Sequence, residues 1–278
     1  MKRTKMSIVN IGIFLGILFY AIGIAFAQEK SVVIKYSYIP GDSSKYSIKM
    51  QGTVYISMGN QQIPMSMTMN GEMVHKIVSV VDTVYTHEIY YSKGEMTMNS
   101  DITGNQTIPP ENFLNTKFTI KTNHYGKPLG TPDIKGGNIA NLGISFSSGA
   151  AGSLDLVPEF INKPIKVNDE WRSTQNQSAE VASMKMDVIV NYTTKCIGFE
   201  KRMEIDCVIL EQISKTTLSG SASGGGTDST RYYIDYMKGR VIELTKTSRA
   251  NMLMTIPNAN MTMETSTILT TTMNLIKQ

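Results

Sequence analysis

Along most of this chain apolar and polar residues alternate one for one, a period of two that places each set on its own face of a β-strand. The clearest run is Tyr46, Ile48, Met50, Gly52, Val54, Ile56 and Met58 on one line, with Lys45, Ser47, Lys49, Gln51, Thr53 and Ser57 on the other. Gly59-Asn60 reads as a turn. Beyond it Ile63, Met65, Met67, Met69 and Met73 restore the apolar line, predicting a long antiparallel hairpin with one dry and one wet side. A second hairpin is predicted for Met73–Val81 and Val84–Ser92 across Asp82-Thr83, followed by short strands at Glu95–Asn99 and Phe113–Thr122. Asp101–Glu111, with Gly104, Asn105, Pro109 and Pro110, predicts no regular element.

Residues 130–164 interrupt the alternation with Gly130, Gly136, Gly137, Gly143, Gly149 and Gly152. They read as a crossing segment with one short helix near Leu154–Ile161. Alternation resumes at Val181–Thr194, with Glu204–Ser214 as its hairpin partner across Gly198–Met203. The glycine-rich Ser219–Thr227 reads as a solvated loop. Arg231–Tyr236 and Arg240–Ile256 pair across Met237-Lys238-Gly239, and a last strand carries Met261, Met263, Leu269, Met273 and Leu275 on one line. The expected fold is all-β: long antiparallel strands in a curved sheet or half-barrel, two related halves (28–130 and 165–278) joined through 131–164, and little helix. The first and last long hairpins look alike; if they are neighbours, the sheet curls back toward itself.

Methionine gives the apolar line its character. Of nineteen methionines, many fall in Met-x-Met steps: Met65/Met67/Met69, Met96/Met98, Met184/Met186, Met252/Met254 and Met261/Met263. Such a stripe has three readings. It is a core face that uses Met where other sheets use Leu or Val. Alternatively, it is an adaptable apolar groove, because thioether side chains re-pack around varied ligands. The third reading is a Cu(I) site, since soft thioethers suit that ion. Copper sites commonly pair Met with His, yet none of His75, His87 and His124 lies inside a Met-x-Met step.

The first 27 residues predict the compartment. Lys2, Arg3 and Lys5 precede the apolar run Ile11–Ile24 and Ala25-Phe26-Ala27, the layout of a signal peptide cleaved after Ala27. The expected destination is the periplasm or the exterior, with no membrane-spanning segment left after cleavage. Cleavage takes three of the 27 basic residues and none of the 23 acidic ones, leaving a net charge of about +1. No basic stripe remains for nucleic acid.

Cys196 and Cys207 both sit on apolar lines of one hairpin, and a cross-strand disulfide is expected if the turn sets them opposite each other in an oxidising compartment. No G-x-S-x-G, H-E-x-x-H, P-loop or Ca²⁺-loop pattern is present, so no enzyme activity and no cofactor are expected. Trp171, the single tryptophan, is expected to anchor the second half by packing its indole.

Three short patterns carry a resemblance: Gly41-Asp42-Ser43-Ser44-Lys45-Tyr46, Lys163-Pro164-Ile165-Lys166-Val167-Asn168-Asp169-Glu170-Trp171 and Tyr236-Met237-Lys238-Gly239-Arg240-Val241. Together they resemble an uncharacterised family of exported bacterial β-rich proteins. Asn168 stands where that family's pattern has Gly, a change that left-handed turn geometry accepts. The expected long curved sheet is also similar to the half-barrels of periplasmic lipoprotein carriers, which implies acyl chains on the concave face. On this reading Met65, Met67, Met69, Met184, Met186, Met252, Met254, Met261 and Met263 line a wall for an apolar or amphiphilic ligand, a lipid or a lipidated partner. The alternatives are a structural or adhesion component of the envelope without a small ligand, and a periplasmic Cu(I)-binding protein. Neither ligand identity nor oligomeric state is legible.

Overall fold

In the computed structural model the described residues are 30–58, 61–102, 104–114, 116–135, 156–181, 184–220, 222–256 and 261–277. The expected signal peptide and cleavage site lie outside them. The fold is that of the unit Val32–Gln278. Its frame is one antiparallel sheet of twelve strands, curved but not closed into a barrel. In chain order these are β1 (Ser43–Met58), β2 (Gln61–Val81), β3 (Val84–Ser100), β4 (Gly104–Ile108), β5 (Lys117–Asn123), β6 (Asp133–Lys135), β7 (Glu170–Val181), β8 (Met184–Arg202), β9 (Ile205–Gly220), β10 (Ala222–Asp235), β11 (Arg240–Ile256) and β12 (Met261–Lys277). The spatial path is β6-β5-β3-β2-β1-β12-β11-β10-β9-β8-β7, with β4 paired to β3 off that path. The two Met-lined hairpins therefore adjoin through β1 and β12.

Local chemistry sets several boundaries. Asp82-Thr83 is the predicted hairpin turn, with Asp82 at φ 56°. Asn168 adopts φ 72°, the left-handed conformation expected of a residue standing in for Gly. β8 and β9 join through Met203 and Glu204 at φ 50° and 61°, a two-residue turn lying later than the predicted Gly198–Met203.

Other expectations are overturned. The described parts of Ser219–Thr227 are strand, the end of β9 and the start of β10, because Gly224, Gly225 and Gly226 let neighbouring backbones approach closely: a Cβ on Gly225 would stand 2.2 Å from the Thr216 carbonyl oxygen. Asp101–Glu111 holds β4 and begins a four-residue helix, α1 (Glu111–Leu114). The helix expected at Leu154–Ile161 is absent from its described part. There Leu156, Val157 and Phe160 are buried in irregular backbone, and the Pro158 carbonyl accepts a hydrogen bond from Tyr36 Oη at 2.9 Å.

Val32–Tyr38 runs extended outside the large sheet. The Tyr36 amide donates to the His124 carbonyl and the Ser37 amide to the Lys238 carbonyl, so this strap ties β5's end to the β10–β11 turn. Ile34, Tyr36 and Tyr38 are buried with Phe160, Ile165 and Trp171 in the main core, which closes one end of the sheet's inner face. A second, smaller cluster of Leu218, Ala222 and Met252, with Val188 and Met254, lies toward the other end of β8–β11.

Candidate functional site

Strand register converts separate apolar lines into rows across the inner face. One row reads Thr194, Gln212, Thr230, Lys246, Thr271, Met50, Met69 and Met96, from β8 to β3. The next reads Tyr192, Ser214, Asp228, Ser248, Leu269, Gly52, Met67 and Met98. Each row is polar over the second half of the chain and thioether over the first.

The thioether side is packed. Met50, Met67, Met69, Met73 and Met96 are buried members of the main core, with Met67 at 1% exposure, and Met98 packs against them. Met65, opposite Val54, is half-buried. Helix α1 sends Phe113 over this side, its ring edge-on to Tyr91 at 5.9 Å. The other predicted wall residues do not join that group. Met252 is buried in the smaller cluster, Met254 and Met263 pair with each other half-buried, and Met254 packs on that cluster. Met184, Met186 and Met261 fall in β8 and β12 by backbone register, and their side chains lie outside the described residues.

The polar side holds residues that the methionine reading passed over. Lys246 is 4% exposed, and its Nζ lies 3.0 Å from Asp228 Oδ2, on the diagonal between β11 and β10. Ser214 Oγ donates to the same carboxylate oxygen at 3.1 Å. Gln212 Nε2 donates to Thr194 Oγ1 at 3.0 Å, while Tyr232 Oη donates to Gln212 Oε1 at 3.4 Å. Buried polar atoms are normally satisfied within the protein. Yet Thr230, Ser248, Thr265, Thr267 and Thr271, all buried on this face, have no side-chain hydrogen bond among the described residues, and their oxygens are not sealed from open space. The sequence carried a signal for this band: Lys246 and Ser248 interrupt the line Ile242, Leu244, Ala250, Met252, and Thr265, Thr267 and Thr271 interrupt the line of the last strand.

Two of the three histidines, far from any Met-x-Met step in the row pattern, come together under the strap. His75 Nε2 and His87 Nδ1 are 2.8 Å apart, and His87 Nε2 lies 2.9 Å from Thr122 Oγ1. Tyr36 and Tyr38 set their rings edge-on to His87 and His75. Burial pushes His75 down to about 4; burial, helped by the neighbouring His75, pushes His87 down to about 2. Both imidazoles are therefore neutral at pH 7, and the pair braces the strap against β2, β3 and β5.

Cys196 and Cys207 are free, buried thiols. Register sets Cys196 opposite Leu210 and Cys207 opposite Glu200, with a bulge between Cys196 and Gly198. Three residues of offset separate the two cysteines by roughly 10 Å, beyond disulfide reach. The expected disulfide does not form in this arrangement because the turn falls later than the spacing suggested. Burial raises the pKa of both thiols, Cys207 to about 11, which makes them poor nucleophiles. Trp171 is buried in the main core, as expected. Among the described residues no group of three His, Cys, Asp or Glu side chains could hold a metal ion, and no helix is long and apolar enough to cross a membrane.

Comparison with protein-family models and with curated proteins returns no match for this chain.

Proposed function

We propose that this is an exported, non-catalytic binding protein that holds an amphiphile against the inner face of β8–β12. The observation that carries this reading is the band of Ser, Thr, Lys246 and Asp228 side chains on the inner face, flanked by the main core and the Leu218–Met252 cluster. These hydroxyls reach open space with hydrogen-bonding capacity that no described side chain uses, so they can donate to and accept from a polar head. Apolar residues on both flanks suit the chain of such a ligand, and the polar band suits its head. The packed methionines of β1–β3 serve here as core, and the ligand-contacting methionines are Met252 and Met254. The export reading rests on the sequence of residues 1–27 and on the family resemblance.

Native mass spectrometry of the protein purified without detergent from a cell-envelope extract tests this. An adduct of lipid mass, released on collisional activation, is the expected result. A bare mass that stays bare after incubation with lipids would overturn the reading and leave a structural envelope component.

A further inference from the structure

The chemistry of the band goes further than "amphiphile" and, resting on the reading above, narrows the headgroup. Its one cation among the described residues, Lys246, is already neutralised by Asp228 at 3.0 Å, and the pair lies side by side with Ser248 and Thr230 in the two adjoining rows. A carboxylate or phosphate headgroup approaching Lys246 meets Asp228, and a quaternary ammonium approaching Asp228 meets Lys246. Either must break a partly desolvated ion pair to bind, an arrangement that discriminates against both signs. What the band offers freely is hydroxyl groups, each able to donate one hydrogen bond and accept others. Thr230, Lys246 and Thr271 stand on adjacent strands, as do Asp228 and Ser248, at the spacing of neighbouring strands, about 4.8 Å. Hydroxyls on adjacent carbons of a polyol can reach two such strands together.

We infer that the inner face selects an uncharged, polyhydroxylated headgroup carrying an acyl chain, of the monoacylglycerol type, and that the Lys246–Asp228 pair is the element that rejects charged amphiphiles.

The full chain, stripped of endogenous lipid on a hydrophobic resin, is offered an equimolar mixture of monooleoylglycerol, oleate and lysophosphatidylcholine, and the retained species are counted by native mass spectrometry. The wild-type protein is expected to retain monooleoylglycerol over either charged competitor by about tenfold, the ratio that about 1.4 kcal/mol of discrimination produces. Asp228→Asn keeps an acceptor for Ser214 but frees the Lys246 charge, and it is expected to bring oleate up to or above monooleoylglycerol. Ser248→Ala with Thr271→Val is expected to lower monooleoylglycerol retention about fivefold without raising oleate, as loss of two hydrogen bonds to a bound head requires. Should Asp228→Asn fail to fold, the volume-matched pair Lys246→Met/Asp228→Leu replaces it, with loss of discrimination among the three heads expected. Preference of the wild type for oleate or for the lysophospholipid, or an unchanged ranking in Asp228→Asn, would overturn the headgroup assignment while leaving the carrier reading intact. Retention of none of the three, with no endogenous adduct, would overturn both.

Discussion

The row from Thr194 to Met96 crosses eight strands on one face, and its two halves are buried alike: Met69 is 1% exposed and Lys246 4%. Burial therefore does not separate core from site in this sheet. Hydrogen bonding does. On the β1–β3 side the thioethers need no partners, and their rotatable bonds let them fill the irregular space beneath Phe113 and the strap. On the β8–β12 side the hydroxyls keep contact with open space and have bonding capacity that no described side chain uses. In a curved single sheet, curvature alone brings neighbouring side chains over one another, so a low exposure is weak evidence for core.

The largest test of that contrast is a charge placed on the packed side. Met67→Asp strands a carboxylate among thioethers and is expected to cost more than about 4 kcal/mol, abolishing cooperative thermal unfolding. A melting temperature within a few degrees of wild type would mean that the methionine side is open too.

The histidine pair is the next lever, since its polar atoms, unlike the hydroxyls of the band, are satisfied by each other and by Thr122. Folding holds His75 at about 4, below the usual value of 6.5, so the unfolded chain takes up the proton first as pH falls. The pair's stability is whole above pH 6.5 and is lost as pH drops toward 4; His75 alone accounts for about 3 kcal/mol of that loss, at about 1.4 kcal/mol per pH unit. Denaturant melts at pH 7 and pH 4.5 should show it, and His75→Gln should roughly halve the difference, because His87 keeps its own buried contribution.

On the polar side, Lys246→Ala leaves Asp228 without its cation and is expected to cost about 2 kcal/mol, less than a fully buried pair because the Asp228 side chain is 22% exposed. Lys246→Met/Asp228→Leu should come within about 1 kcal/mol of wild type, and a double-mutant cycle reads the coupling. Gly225→Ala forces a methyl against the Thr216 carbonyl and should lower stability by roughly 1–3 kcal/mol, measured by urea titration. The smallest effects are the most diagnostic pair. Met67→Leu is expected to change stability by less than about 1.5 kcal/mol. Thr271→Val should be neutral or stabilising, because it removes a buried hydroxyl that no described side chain satisfies.

Much of this was legible beforehand where the deciding interaction is local. Alternation from Tyr46 to Met73 specified a two-faced hairpin, and Asp82-Thr83 and Asn168 marked backbone turns that only a few residue types accept. Reading failed where a distant backbone decides. Gly224–Gly226 looks like a loop in isolation and is strand because Thr216 and Asn251 carbonyls pack against it. The two-residue shift of the β8–β9 turn undid the cysteine pairing, since one strand's register moves every partner with it.

By itself, then, the sequence determined the class of the fold, the sidedness of each strand and the predominance of thioethers on one face, because a period of two is a property of neighbours in the chain. It also contained each polar interruption, from Thr194 to Thr271, as an isolated break in an apolar line. Only the tertiary structure decided that these breaks gather in successive rows on β8–β12, that Lys246 meets Asp228, and that His75 meets His87. Those juxtapositions depend on the summed lengths of turns and bulges between strands, and residues 77 apart in the chain, such as Thr194 and Thr271, share a row without sharing any local signal.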